Sequence, residues 1–349
     1  MSTEEQDMLK SAVRDFAQKA IVDKVLNIEH EGIDDELLKS LAAQGFLAAR
    51  FPEKYGGSGI GKEGYLAILE ELASFSPSVA ALVMATNSLV APLIGDKDPE
   101  LMGKIASGEV RVALSVSPVL PGNTDKTDLE KSGSSLKGTV KNAISSGGHV
   151  LIALSGSDDT VYLIRDGMSK AETDQYLSFR GLGYGNLSVD SSDFVSLAED
   201  GRKTMGKVLD SADLEVAAMA LGIAKGALDK VIDYVKVRKT FERPLKDYGP
   251  VSSTLSGLMA EHEVLSRYLN NLDGNSDREN LVVKTLSVDL TKRATKYSLQ
   301  FHGGYGYIED TGVEKFYRDA VGLSILLQRP HSDSQRLAEE IFGEKSGYL

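Results

Sequence analysis

The order of hydrophobic periodicities is the feature that most constrains the fold of this chain. Up to about residue 110, apolar residues recur every three to four positions, which is typical of amphipathic helices. Between about 111 and 205, short apolar runs alternate with Gly, Ser, Asp and Asn, which predicts short strands. From about 206 the helical period returns. This order differs from the βαβ alternation of a doubly wound sheet.

We therefore predict an α+β multidomain protein. Its parts are an N-terminal helical domain (1–110), a middle antiparallel β domain (111–205) and a C-terminal helical domain (206–349). Three long helices are expected in the last part, the first from about Ala212 and the others at about 251–272 and 277–297.

Charge and composition exclude several classes of protein. The formal net charge is -12, and an acidic surface repels phosphate backbones, so nucleic-acid binding is not expected. The chain has no cysteine, which excludes disulfides and thiolate chemistry, and its five histidines show no metal-ligand spacing, so no metal site is predicted. The acidic, polar N-terminus does not resemble a secretory signal, and no uncharged apolar run is expected to be long enough for a membrane span. We therefore expect a cytoplasmic protein.

Five segments carry the most specific information in the sequence. They are Phe-Pro-Glu-Lys-Tyr-Gly-Gly-Ser-Gly (51–59) with the Glu-Glu-Leu-Ala helix (70–73), Ile-Ala-Ser-Gly-Glu (105–109), Arg-Lys-Thr-Phe-Glu-Arg-Pro-Leu (238–245), Gln-Phe-His-Gly-Gly-Tyr-Gly-Tyr (300–307) and Val-Glu-Lys-Phe-Tyr-Arg-Asp-Ala (313–320). Each is weak alone. Together, in this order and over nearly the whole chain, they resemble the acyl-CoA dehydrogenase family.

The resemblance implies a three-domain flavoprotein whose C-terminal helices form a four-helix bundle. It implies FAD between the β domain and these helices, with part of each FAD site supplied by a neighbouring subunit of a tetramer. The implied reaction, in fatty acid metabolism, is α,β-dehydrogenation of an acyl-CoA thioester: a carboxylate removes the α-proton and the flavin accepts the β-hydrogen as hydride. An acyl-CoA substrate is therefore expected, and an electron-transfer flavoprotein is a candidate partner.

One group of residues matches the family positions that contact the pyrophosphate and adenine side of FAD. It consists of Arg238, Thr240 and Phe241. A guanidinium suits phosphate oxygens and a hydroxyl adds a donor. A basic residue also suits the C-terminus of any helix, because it complements the helix dipole.

Two further groups match other parts of the FAD site. Gln300, Gly303 and Gly304 match family residues that reach FAD from the partner subunit, and a Gly pair lets the backbone approach a pyrophosphate. Ser117 and Ser145 match the flavin-facing segments loosely, and both also fit ordinary strand-end and turn positions.

The carboxylate base is the part of the resemblance that this sequence lacks. Counting forward from the 313–320 segment puts Leu327 at the position of the family's Glu, and counting back from Gln335 and Arg336 puts Arg329 there. Neither side chain can accept a proton from carbon. Some family members carry the base on the helix that opens the C-terminal domain, where this chain has Ala212 and then Asp213. Asp213 is therefore the predicted base, and the alternative is an ordinary acid in the first turn of a helix, where it complements the helix dipole.

Four functions stay open at this point. The first function is an acyl-CoA dehydrogenase with a displaced base. The second is an FAD-binding subunit that pairs with a catalytic homologue in a mixed tetramer rather than a homotetramer. The third function is a different flavin reaction, such as monooxygenation or reduction of a conjugated thioester, and the fourth is a structural role without flavin. Four other acids are nominal candidates for the base but are expected to be solvated surface residues: Glu215, Glu309, Asp310 and Asp333.

Overall fold

The computed structural model describes residues 3–120, 128–171, 176–326 and 330–343. The N-terminal helices are α1 (Thr3–Ala20), α2 (Val25–Glu31), α3 (Asp35–Ala43), α4 (Lys62–Phe75), α5 (Pro77–Met84), α6 (Ala91–Ile94) and α7 (Pro99–Ala106). The middle strands are β1 (Val112–Leu114), β2 (Glu130–Ser132), β3 (Ser135–Ala143), β4 (Val150–Leu154), β5 (Val161–Ile164), β6 (Met168–Lys170), β7 (Gly185–Ser191) and β8 (Phe194–Ala198). The C-terminal elements are α8 (Gly201–Asp210), α9 (Asp213–Val237), β9 (Lys239–Thr240), β10 (Arg243–Pro244), α10 (Gly249–Asn271), α11 (Asp277–His302), α12 (Val313–Leu326) and α13 (Pro330–Phe342).

Two N-terminal helices begin with the same local signal, a polar capping residue followed by proline. The Asp98 carboxylate accepts a hydrogen bond from the Leu101 backbone N–H at 2.9 Å, and Pro99 is the first residue of α7. Ser76 and Pro77 stand in the same positions at the start of α5. Proline suits this position because the N–H that it lacks has no partner within the helix.

A π-helical turn, Ala85–Val90, joins α5 to α6. Pro92 has no N–H to donate to the carbonyl of Ser88, four residues earlier. The Ala91 N–H instead bonds to the Thr86 carbonyl, five residues earlier. The wider turn follows from the proline, and such turns are frequent at functional sites.

The helical stretch Pro77–Lys97 corrects one expectation from the sequence. Residues 77–95 carry no charged side chain, so the chain does contain a long uncharged run. By length and composition alone this helix could cross a membrane. Its most apolar 18-residue window is, however, 78% buried inside the protein, as in the core helix of a folded domain.

The middle of the chain forms two four-stranded sheets, with strand orders β1-β4-β5-β8 and β2-β3-β7-β6. All of their pairs are antiparallel, as predicted, except that β1 runs parallel to β4. A parallel pair needs a long crossover, and here the chain between β1 and β4 passes through β2 and β3 of the other sheet. The side chains of β4 and β5 are buried on both faces, which explains their unbroken apolar sequences.

The helices α9, α10, α11 and α12 pack on one another as the predicted four-helix bundle. Helix α9 also crosses α4 closely, because Gly222 and Gly226 face the backbone carbonyls of Glu70 and Ser74. A Cβ atom at either glycine would overlap those oxygens. The divisions after residues 110 and 205 stay predictions, and α8 runs across the second of them.

A buried ion cluster, formed by Glu29, Lys315, Arg318 and Asp319, joins the three parts of the chain. Lys315 Nζ lies 2.7 Å from Asp319 Oδ2 and 3.5 Å from Glu29 Oε1. The other Asp319 oxygen accepts the backbone N–H of Phe179, after the β6 strand, at 2.6 Å. Burial alone would raise the pKa of Glu29, but Lys315 and Arg318 together hold it below its ordinary value. We call this group the junction cluster.

Candidate functional site

The hairpin of β9 and β10 presents the first group of predicted cofactor residues. Thr240 pairs with Arg243, so Phe241 and Glu242 form a two-residue turn, and both have positive φ angles, 50° and 62°. Positive φ at both central residues is what a tight hairpin turn requires. The turn leaves the Phe241 ring 92% exposed. Arg238 just precedes this hairpin, and no carboxylate in the described parts of the chain pairs with its guanidinium.

The end of α11 brings the second group of predicted residues to the same place. Gly303 ends the helix with φ 58°, and its N–H bonds to the Gln300 carbonyl. Nothing lies within 4 Å of the position of a Cβ atom at Gly303 or Gly304, so their backbone is open to a ligand. The Tyr305 ring that follows lies 5.9 Å from the Arg238 guanidinium.

Six predicted residues therefore form one exposed surface, which we call the Arg238 surface. They are Arg238, Thr240, Phe241, Gln300, Gly303 and Gly304. The surface offers a guanidinium that pairs with no carboxylate among the described residues, a hydroxyl, an exposed aromatic ring and open glycine backbone. This donor set fits the pyrophosphate and adenine of a dinucleotide.

His302 supports this surface from below, a role that the sequence did not predict. Its ring stacks on Tyr234 with centroids 4.3 Å apart, and its Nδ1 lies 2.7 Å from the Ser298 carbonyl oxygen. A carbonyl can only accept, so Nδ1 carries the proton. Burial lowers the pKa of His302. A neutral, hydrogen-bonded ring thus fixes the helix end that carries Gly303.

Ser117 lies in the β domain within a polar network of its own. Asn142 Nδ2 donates to Ser117 Oγ at 3.1 Å, and Tyr176 OH donates to Asn142 Oδ1 at 2.6 Å. The Tyr176 ring stacks on Tyr184 with centroids 4.5 Å apart. No local sequence pattern indicates this network, because its members are distant along the chain. The hydroxyl predicted to meet a flavin is thus already hydrogen-bonded.

Ser145 lies at a turn next to β3 and is 4% exposed. Its φ is 52°, its N–H bonds to the Leu182 carbonyl at 2.9 Å, and its own carbonyl accepts the Gly148 N–H at 2.7 Å. Such backbone conformations are uncommon outside glycine and often occur at functional sites. The prediction that Ser145 occupies a turn is confirmed, and its contact with a flavin stays a prediction.

The two predicted ends of the cofactor site lie near different elements of one chain. The turn that begins with Ser117 contacts α8, through a hydrogen bond from Arg202 to the Pro118 carbonyl at 2.9 Å. Arg238 follows the last residue of α9, a 25-residue helix about 37 Å long. Among the described residues no contact joins the two groups.

Asp213, the predicted base, is buried and held by two cations. Its Oδ1 lies 2.8 Å from Lys284 Nζ, and its Oδ2 lies 3.0 Å from Arg336 Nη1. Lys284 is fully buried and also contacts Asp333 Oδ2 at 2.6 Å. The alternative positions for the base, Leu327 and Arg329, lie outside the described residues.

The expectation of four solvated acids is wrong for two of them. Asp333 is 2% exposed and Glu215 is 6% exposed. Glu215 lines a cleft of about 620 Å³ between the N-terminal helices and α9. Its Oε1 lies 3.6 Å from Arg50 Nη1 and 3.5 Å from Ser88 Oγ, on the π-helical turn. Burial raises the pKa of Glu215. Its partners come from distant segments, so its own sequence neighbourhood does not reveal this burial.

Among the described residues, no group of three or more His, Asp or Glu side chains is arranged to hold a metal ion.

Comparisons with known proteins agree on one family. The sequence-family model of the acyl-CoA dehydrogenase N-terminal domain matches residues 3–97. The family model of the acyl-CoA dehydrogenase C-terminal domain matches residues 199–327. The short-chain specific acyl-CoA dehydrogenase of Megasphaera elsdenii is 28% identical over 359 residues, which cover 90% of this chain and 92% of that protein. The caffeyl-CoA reductase-Etf complex subunit CarC of Acetobacterium woodii is 26% identical over 362 residues, with coverage of 91% and 93%.

A solved structure gives the same answer for the fold. Glutaryl-CoA dehydrogenase from Mycobacterium smegmatis, in complex with FADH2, matches with a TM-score of 0.88 at 18% identity, over 100% of this chain and 97% of that one.

Proposed function

Because this chain belongs to the acyl-CoA dehydrogenase family, we propose that it binds FAD on the Arg238 surface and acts as an oxidoreductase on acyl-CoA thioesters. The observation that carries this proposal is the approach of the Arg238 guanidinium to within 5.9 Å of the Tyr305 ring, which directly follows the open glycines Gly303 and Gly304. When bound, FAD supplies the acceptor for the hydride of a carbon–carbon dehydrogenation. The residues of the chain bind and orient this cofactor. Arg238 offers two parallel N–H donors to a phosphate group, and Gly303 and Gly304 offer open backbone.

The binding of FAD is tested by titration of the purified protein and of two variants. Arg238→Ala should weaken FAD binding about 10- to 100-fold, because a charge-assisted hydrogen-bond pair is lost without loss of folding. Arg267→Ala is the matched control, since Arg267 is an exposed arginine that pairs with Glu263 on α10. Equal affinities for the two variants would contradict the proposal.

We propose further that each FAD site uses two copies of the chain, with Ser117 and Ser145 from one and the Arg238 surface from the other. The separation of these groups along α9 supports this arrangement. The test is co-expression of Arg238→Ala with Ser145→Trp, a bulky change at a buried position. Randomly mixed pairs should regain about a quarter of the wild-type FAD sites, because one site in each mixed pair is intact. No recovery would mean that each site belongs to a single copy.

A second candidate function is an FAD-binding subunit without its own base, in a mixed oligomer with a catalytic homologue. The double pairing of Asp213 favours it, and the sequence has no Asp or Glu from Ala320 to Ser332. The measurement is anaerobic mixing of the FAD-loaded protein with saturated acyl-CoAs. Slow or absent bleaching of the flavin supports the second function, whereas rapid bleaching supports a self-sufficient dehydrogenase.

The direction of the reaction is tested by the reverse experiment, in which the flavin starts in the reduced state. One relative is named as a subunit of a caffeyl-CoA reductase-Etf complex, which supports reduction of a conjugated thioester and an electron-transfer flavoprotein as partner. The chemically reduced, FAD-loaded protein is mixed with an aryl-conjugated enoyl-CoA. Reoxidation of the flavin by this thioester, without bleaching by its saturated form, would identify a reductase.

A further inference from the structure

Helix α13 has an unusual attachment to the rest of the protein. Among its described side chains, Asp333 is the one that is buried. Ile341 and Phe342, its large apolar residues near the C-terminal end, are 50% and 73% exposed. A helix is normally held in place by burial of an apolar face, which this helix lacks over its described side chains.

Four charged residues take the place of that apolar face. Asp333 and Arg336 lie three positions apart on α13 and so point to the same side of the helix. They meet Lys284 of α11 and Asp213 of α9, and Lys284 Nζ lies between the carboxylates of Asp213 and Asp333, at 2.8 and 2.6 Å. Arg336 Nη1 closes the ring at 3.0 Å from Asp213 Oδ2.

The chemistry of this ring explains why its members depend on one another. Lys284 is 0% exposed, and a buried ammonium is tolerated only when it is paired. If Asp213 took up a proton during a reaction, Lys284 would keep one counter-ion in place of two. Both oxygens of Asp213 also face cations and not the solvent, so neither is presented to a substrate.

We propose that Asp213 is a positioning residue: with Lys284, Asp333 and Arg336 it forms an ionic anchor that fixes α13 onto α9 and α11, and it is not the proton acceptor. The anchor goes beyond the proposed function, because it holds α13 whether or not a cofactor is bound. It also fixes the chain directly after the position at which the family resemblance places the base.

The experiment measures amide hydrogen exchange across residues 330–343 in the full-length protein. Asp213→Asn and Asp333→Asn should each speed exchange in α13 about tenfold or more, because each leaves Lys284 with one carboxylate. Asp289→Asn is the matched control: Asp289 is an exposed aspartate on α11 that pairs with Lys292, and its variant should exchange like the wild type. If Asp213→Asn does not fold, Arg336→Gln, at the partly exposed edge of the ring, tests the same contact.

A second readout separates an anchor from a base. The anchor predicts that the effects of Asp213→Asn and Arg336→Gln on the exchange rates of α13 are not additive, because both substitutions remove the contact between Asp213 and Arg336. A base role predicts instead that Asp213→Asn abolishes flavin reduction by acyl-CoA while α13 stays as protected as in the wild type, and that result would overturn the proposal. The FAD content of the same samples is measured independently of hydrogen exchange. A wild-type protein that takes up no FAD would contradict the proposed function, but the exchange rates of α13 would still test the anchor.

Discussion

Replacing Lys315 by Met tests whether the junction cluster holds the three parts of the chain together. The Lys315 side chain is 2% exposed, and its ammonium contacts Asp319 at 2.7 Å and Glu29 at 3.5 Å. Methionine has nearly the same length, so it keeps the packing and removes the charge. Of the cluster's two cations, Arg318 alone then remains to face the buried carboxylates of Glu29 and Asp319.

The expected loss is large on the scale of protein stability. Removing one partner of a buried ion pair leaves an uncompensated charge and destabilises by about 3–5 kcal/mol. A native domain is stable by only about 5–15 kcal/mol. The free energy of unfolding is measured by urea denaturation, followed by circular dichroism and tyrosine fluorescence, since the chain has no Trp.

The control and the pH dependence make this prediction specific. Lys104→Met breaks an exposed pair with Glu100, and because solvent screens such pairs, its free energy of unfolding should stay close to that of the wild type. The folded-state pKa of Glu29 lies below its ordinary value of 4.5, so its contribution is present above that pH and is lost as the pH falls through the folded-state pKa. The effect of Lys315→Met should therefore be full at neutral pH and shrink in acid. A loss no larger than that of Lys104→Met would refute the reasoning.

Three other substitutions have expected outcomes. Gly222→Ala should destabilise by about 1–3 kcal/mol in thermal unfolding, since its Cβ would overlap the Glu70 carbonyl, whereas Gly206→Ala, with open space around it, should be neutral or stabilise by up to about 1 kcal/mol. Glu215→Gln should raise the melting temperature relative to the wild type at pH 8 and not at pH 4. Burial raises the pKa of Glu215, so the ionised carboxylate, which forms as the pH rises, destabilises the folded wild-type protein. An equal effect of the substitution at both pH values would contradict this. Phe241→Ala should leave the melting temperature unchanged, since the ring is 92% exposed, and weaken FAD binding in a fluorescence titration; unchanged binding would remove Phe241 from the site.

The order of the domains could be predicted from the sequence because it depends on local periodicity. Helix α11 begins at Asp277, as expected, and the apolar runs of β4 and β5 lie within the predicted β domain. The Arg238 surface could also be anticipated, because its members lie in two short, specific segments at the ends of α9 and α11. The parallel pairing of β1 with β4 could not, because strand pairing between distant segments leaves no local pattern.

The charged core could not be predicted, because ion partners meet only in the fold. Lys284 and Asp213 are 71 positions apart, and a lysine is ordinarily a surface residue. One signal was available: Lys284 lies three residues after Leu281 and four before Val288, both of which are buried, so it falls on the apolar stripe of α11. Lys315 and Asp319, four apart on α12, give a similar signal in the junction cluster.

The central claim is that this chain binds a flavin dinucleotide at a surface made by Arg238 and the glycines that follow α11. The most direct measurement is the number of FAD molecules retained per chain after saturation, removal of free cofactor and release by denaturation. We expect one FAD per chain in the wild-type protein, recovered with the oligomeric fraction, and a clear loss in Arg238→Ala. A wild-type protein that remains colourless after saturation would contradict the claim.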